Sequence, residues 1–222
     1  MGQLIINMPD ISEPNSDRDW LLIGYMNIYK AWVFCYLAGE TDEALKLVEK
    51  TKVIASILQD DNLELWAAYI MALISIIKGD FEVAQGVLTG SMEKHHKNAT
   101  DEVIFSLIPY IAGVNASFMG DFETAKGFLE LALEEVNDRN LAGLDFYIKN
   151  YISYCEYYTD KRTNGEKLIK EMGISVGRYL NNQNYHLKSY YLFCKAVYSF
   201  LQRQSYQAVE LGRQALELRY MA

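Results

Sequence analysis

Histidine and cysteine are the side chains here best suited to chemistry, and their spacing argues against most of it. His95 and His96 adjoin in "MEKHHKNAT", flanked by lysines near the expected end of a helix. Neighbouring helical side chains diverge, and no cysteine or acid stands at ligand spacing, so converging metal donors are not encoded there. A solvated helix end, favoured by the helix dipole, is the reading of this pair. His186 stands alone. Cys35, Cys155 and Cys194 are odd in number, far apart and set in apolar runs, which fits buried thiols in a reducing compartment better than disulfides. No G-x-S-x-G, phosphate-binding glycine loop or G-x-G-x-x-G occurs. The acids of "LEEVND" and "GETDEA" fall on helix starts or outer faces, where they solubilise. The expectation is a protein with no metal, no cofactor and no catalytic residues.

What remains is the chemistry of recognition. Seventeen of the 222 residues are Tyr, and Tyr offers rigid apolar area with one polar group. The net charge of −8 makes phosphate backbones and anionic membranes poor partners. The N-terminus "MGQLIINMPD" lacks the basic start and long apolar core of a signal peptide, and Ile6 stands where a myristoylation signal needs Ser or Thr. The most apolar run, Leu65 to Ile77, is too short to span a bilayer and reads as a buried helix. A cytoplasmic location is expected. The sequon at Asn98 carries no weight without a secretion signal.

The elements that must position these aromatics announce themselves by repetition. "IIKGDFEVAQGVL" (Ile76 to Leu88) returns as "SFMGDFETAKGFL" (Ser117 to Leu129), with a weaker version in "YLAGETDEALKLV" (Tyr36 to Val48). Gly39, Gly79 and Gly120 are spaced by 40 and 41 residues, and Ala44, Ala84 and Ala125 each follow five later. The same step reaches Gly165 in "DKRTNG" and Ala208 in "RQSYQA". Upstream of each turn, apolar residues recur at helical spacing, as in Trp66, Tyr69, Ile70, Leu73 and Ile77. Gly suits a left-handed helix end, and the following acid suits the N-terminus of the next helix. Stops near "QDDN" and "NDRN" complete the unit. Helix pairs are therefore expected at about 17–58, 62–97, 100–138, 140–180 and 184–219, after an extension over residues 1–16 and within one repeat domain over 17–222. Pro109 implies a kink or a late helix start.

Counting seven back from the turns at Gly79, Gly120, Asp160 and Arg203 gives Ala72, Gly113, Ser153 and Ala196. Both helices of a unit thus carry a small residue near the turn, which allows a close crossing. In the first unit the count gives Trp32, a departure that fits an atypical terminal repeat.

This pattern resembles the tetratricopeptide repeat: a small residue in the first helix, Gly-acid-aromatic at the turn in "GDF", and Ala opening the second helix. The resemblance covers roughly residues 24–218 and is clearest from Gly79 to Leu133. Its period is longer than the common form of about 34 residues, as in the long repeats of some bacterial regulators and eukaryotic scaffold proteins. The resemblance implies an all-α, right-handed α-solenoid of about five antiparallel helix pairs. It also implies an inner groove lined by the first helices, and a role in binding peptides or proteins.

On that geometry the groove residues are Tyr29, Tyr69, Tyr110, Asn150 and Phe193, with Met26, Trp66, Leu107, Tyr147 and Tyr190 one turn earlier. Tyr36, Ile76, Ser117, Tyr157 and Phe200 lie nearer the turns. Such a surface suits an extended or helical peptide, yet the same aromatics could be core between neighbouring repeats. The Lys, Arg and Asn of carboxylate-clamping relatives are replaced by Tyr, Leu, Val and Ile, so that subtype is set aside. Two functions follow: a protein- or peptide-binding scaffold, or the sensor region of a larger, transcriptional regulator that binds a small molecule or signalling peptide. No basic DNA-reading helix is present in the segment. The end at "ALELRYMA", with no polar helix over the last repeat, suggests a longer chain or pairing with a second copy.

Overall fold

The computed structural model describes residues 14, 16–93, 99–139, 141, 143–159, 161–179 and 185–221. Most of the expected extension lies outside the described residues, as do His95, His96, Asn98, Asn140 and Asp160 and the side chains of Tyr36 and His186. Among the described residues every regular element is a helix. The order is α1 (Asp17–Val33) running into a π-helical turn (Phe34–Ala38), α2 (Thr41–Leu58), α3 (Asp61–Lys78), α4 (Phe81–Glu93) and α5 (Glu102–Met119), followed by α6 (Phe122–Asp138), α7 (Leu144–Tyr158), α8 (Arg162–Tyr179), α9 (Tyr185–Leu201) and α10 (Ser205–Met221). Two compact units divide the chain, the first ending at Met119 and the second beginning at Gly120. In the first, α1 packs on α2, α3 on α4, and the first helices α1, α3 and α5 on one another in series. In the second, α6 packs on α7, α7 on α8, α8 on α9 and α9 on α10.

The turns follow the logic of glycine. Gly39, Gly79 and Gly120 have φ of 71°, 83° and 82°, the left-handed conformation that a Cβ penalises. After α3 the Gly79 amide donates to Ile76 O (3.0 Å) and the Asp80 amide to Ser75 O (2.8 Å), so the last carbonyls are satisfied. Arg203 takes the same conformation without glycine (φ 63°), with the Gln204 amide donating to Ser199 O at 2.9 Å. Capping by the following acid is realised at Asp121, whose carboxylate accepts from the Thr124 amide at 3.2 Å. Glu40 makes no such bond, its side chain being one methylene longer. Pro109 lies inside α5, which begins at Glu102, so the late start is not taken.

The small residues of the repeat are buried or partly so. Ala44, Ala72, Ala84 and Ala125 have no exposed surface, Gly113 and Ser153 are buried, and Ala208 is partly so. At Gly165 an added Cβ would lie 3.0 Å from the Ser153 carbonyl and 2.7 Å from the Tyr198 hydroxyl. Tyr198 reaches across from α9 and donates to Arg162 O at 2.8 Å. That hydroxyl explains why glycine replaces alanine in this unit.

Trp32 does not sit at the crossing of the first pair. It is 40% exposed, while Ala31 beside it is fully buried. The π-helical turn accommodates one extra residue before Gly39, so counting back along a regular helix misses the crossing by one.

Helix α5 alone among the described helices is long and apolar enough to cross a membrane by length and composition, and 67% of that stretch is buried inside the protein. Such burial is what a core helix needs. Its Asn115 is wholly buried, and its amide donates to Phe81 O (3.1 Å) and Gln85 Oε1 (3.3 Å), fastening the first turn of α4.

Candidate peptide-binding surfaces

In the first unit the candidate residues sit on α1, α3 and α5. Trp66 is half-buried near the start of α3, and its indole N–H donates to Asp101 Oδ2 at 2.7 Å. The ring meets Tyr69 edge-on, with centroids 5.9 Å apart. Asp101 is held where it is needed: its Oδ1 accepts from the Val103 amide (3.0 Å), and Asn62 Oδ1 accepts from the Thr100 and Asp101 amides (2.9 Å each). Asn62 therefore ties the start of α3 to the start of α5. Burial pushes the Tyr25 hydroxyl up to about 12, with Asp60 and then Asp101 opposing its ionisation further. This end of the first helices is thus an aromatic surface edged by carboxylates.

The expected groove residues differ in what they offer. Tyr29 is 62% exposed, and the extra residue of the π-helical turn places Ile28, not Tyr29, in the buried position corresponding to Tyr69. Tyr69 and Leu107 are themselves buried and present at most an edge. Tyr110, Met26 and Ile76 are partly buried, and Ser117 is buried.

In the second unit Tyr147, Asn150 and Tyr190 form one interlocked group. The Tyr147 and Tyr190 rings lie 4.7 Å apart, and the Asn150 amide donates to the Tyr190 hydroxyl at 3.4 Å. Burial raises the pKa of Tyr190 well above that of an ordinary tyrosine, and it pushes the Cys194 thiol up to about 12. Phe193 projects outward, 55% exposed, and lines a shallow cavity of about 320 Å³ with Ser189, Tyr190, Ala215 and Leu216. Phe200 is 66% exposed. Tyr157 turns inward, donating its hydroxyl to Leu201 O while the Arg162 guanidinium lies 4.9 Å from its ring centre.

Among the described residues no group of three or more His, Cys, Asp or Glu is arranged to hold a metal ion. Tyr25, Asn62 and Asp101 escaped the sequence reading. Only Asp101 had a signal, as an acid immediately before the Glu102 helix.

No protein-family model matches the chain, and no curated protein sequence does. Solved structures do match. The apo form of RapI superposes with a TM-score of 0.63 at 13% identity, over 95% of this chain and 86% of that one. A putative kinesin light chain of Podosopora anserina, with nearly identical TPR-like repeats, gives a TM-score of 0.64 at 12% identity. That match covers 93% of this chain and 97% of the other, and a singly substituted form of the same protein matches with a TM-score of 0.65.

Proposed function

With a tetratricopeptide-like helical repeat fold as the premise, we propose that this chain is a binding protein that holds a peptide or protein segment on the aromatic faces of its first helices. One observation carries the reading. The first helices of both units present aromatic side chains that are neither fully buried nor fully solvated, with Tyr29, Trp66 and Tyr110 in one unit and Tyr147 and Phe193 in the other. Half-exposed Tyr and Trp give contact area at low entropic cost and one hydrogen-bonding group each, which is what a recognition surface needs.

The carboxylates beside Trp66 and Tyr25 favour ligand segments that carry a Lys or Arg next to their apolar anchor. A cation there meets both aromatic faces and acids. The role is one of binding and not of catalysis, in a cytoplasmic setting.

The test is a peptide-array or proteomic capture with wild-type protein, repeated with Tyr29→Ala and Phe193→Ala. Both side chains are more than half exposed, so the fold survives their truncation. Partners that bind wild type and lose at least about tenfold in affinity with either variant support the reading. If every captured partner binds both variants as well as wild type, the proposed surface is wrong.

A further inference from the structure

Helix α10 carries two apolar stripes on opposite faces. Ala208, Leu211, Ala215 and Leu218 form the inner one, packed toward α9, with Leu211 and Ala215 buried. The outer one is Tyr206, Val209, Arg213, Leu216 and Tyr220, spaced by three, four, three and four residues. That spacing is a narrow heptad seam, the pattern of one helix facing another. Its apolar members are 88%, 71%, 55% and 84% exposed in chain order. Among the described residues the other second helices expose large apolar side chains singly or in pairs, such as Val83 on α4 or Leu131 on α6. A helix with two apolar faces satisfies both only between two neighbours, and α9 is one.

We propose that the second neighbour is α10 of another copy of this chain, running antiparallel about a two-fold axis near Arg213. The stripe is close to a chemical palindrome, Tyr–Val–Arg–Leu–Tyr. Reversing the partner helix therefore sets Tyr206 near the partner's Tyr220 and Val209 near the partner's Leu216. Each patch is then self-complementary, as a two-fold interface requires. Arg213 arrives neutralised, since its guanidinium pairs with Glu210 at 2.7 Å and with Glu217 on its own helix. Antiparallel alignment also opposes the two helix dipoles.

The area limits the interface to a small one. Taking about 200 Å² for a whole aromatic side chain, the four apolar residues present roughly 500 Å² per copy. A two-fold pair removes at most about 1,000 Å² from water, the small end of biological interfaces, so a weak, reversible dimer is expected. The seam shares Leu216 with the cavity beside Phe193, so Tyr29→Ala, in the other unit, is the variant that separates the two readings.

The test is sedimentation or light-scattering mass of the purified chain across micromolar concentrations, for wild type, Val209→Glu, Tyr220→Glu and Tyr29→Ala. A concentration-dependent dimer is expected, unchanged in Tyr29→Ala. Each Glu variant should weaken it at least about tenfold while circular dichroism and melting show an intact fold. Orientation is read by mixing Val209→Cys with Leu216→Cys under mild oxidation. The mixed disulfide forms and each variant alone gives little, while Cys35, Cys155 and Cys194 are buried and do not compete. A monomer at every concentration overturns the proposal. So does a dimer indifferent to both Glu substitutions, or cross-linking of each Cys variant with itself in preference to the mixture.

Discussion

Replacing Gly165 by Ala should destabilise the protein, whereas the same change at Gly127 should stabilise it. Both glycines lie in second helices of the C-terminal unit, and Gly→Ala in a helix ordinarily gains about 0.5–1 kcal/mol. At Gly127 nothing lies within 4 Å of the new methyl, so that gain is realised in full. At Gly165 the methyl would sit 2.7 Å from the Tyr198 hydroxyl and 3.0 Å from the Ser153 carbonyl. The phenol can swing aside only by giving up its bond to Arg162 O, a loss of about 1 kcal/mol. The Ser153 carbonyl is backbone and moves only with α7. Overpacking of this kind costs about 1–3 kcal/mol. Set against the helical gain, the net is a loss of about 1–3 kcal/mol, and the two glycine sites should differ by about 2–4 kcal/mol. Urea unfolding followed by helical circular dichroism measures both variants against wild type. In a Tyr198→Phe background the nearest clashing atom is gone, so Gly165→Ala should cost less, with a coupling of at least about 0.5 kcal/mol. Equal stabilisation at Gly165 and Gly127, or no coupling to Tyr198, would refute the close-crossing argument.

Other outcomes follow from single contacts. Lys126 Nζ lies 2.9 Å from Glu156 Oε1, and Glu156 is only 4% exposed with its other oxygen unpartnered, so Lys126→Met should cost about 2–3 kcal/mol. Lys126→Met/Glu156→Leu should recover most of that loss in the same unfolding assay. Arg203→Gly should raise stability by about 0.5–1 kcal/mol, because a left-handed residue with a Cβ is strained where glycine is not. Burial raises Tyr25 to about 12, Tyr154 to about 12 and Cys35 to about 11, each above its unfolded value. Their contribution is therefore complete below about pH 9 and is lost as pH climbs toward 12, when the unfolded chain releases protons that the folded one keeps. Hydrogen bonding to Glu156 likewise raises Lys126, and the stability from that pair is lost only above the ordinary lysine pKa of 10.5. Fluorescence-monitored alkaline unfolding checks the window. A thiol reagent should label Cys35 and Cys194 only once the fold has opened.

Turns and crossings were legible because each is decided by one residue's missing or minimal side chain. Gly39, Gly79 and Gly120 take the left-handed conformation that their spacing implied, and Ala44, Ala84 and Ala125, five residues on, are fully buried. The π-helical turn was not legible, since "FCYLA" reads as five apolar helical residues whichever carbonyl each amide chooses. Its single extra residue moved Trp32 away from the crossing and left Tyr29 in solvent. At Arg203 the repeat step placed the turn although its residue type did not advertise one, because the hydrogen bonds around it hold the unfavourable conformation.

The aromatic surface shows where a pattern read along the chain must stop. Tyr147 and Tyr190 share the groove spacing of Tyr29 and Phe193, and hydrophobicity alone gives Tyr198 the same role as these four. Their hydroxyls separate them. Tyr190 accepts from Asn150, and Tyr198 donates to Arg162 O across a gap that only Gly165 leaves open, so these two phenols are bound into the packing of the second unit. Tyr29, more than half exposed, is not confined in that way. Such partners lie 36 to 40 residues away along the chain, which is one repeat. A tyrosine in a repeat protein is thus assigned to core or to ligand by what the neighbouring repeat places opposite its hydroxyl. In the second unit that neighbour supplies Asn150 and the Arg162 carbonyl, which is why Tyr190 and Tyr198 pack where Tyr29 of α1 is left open.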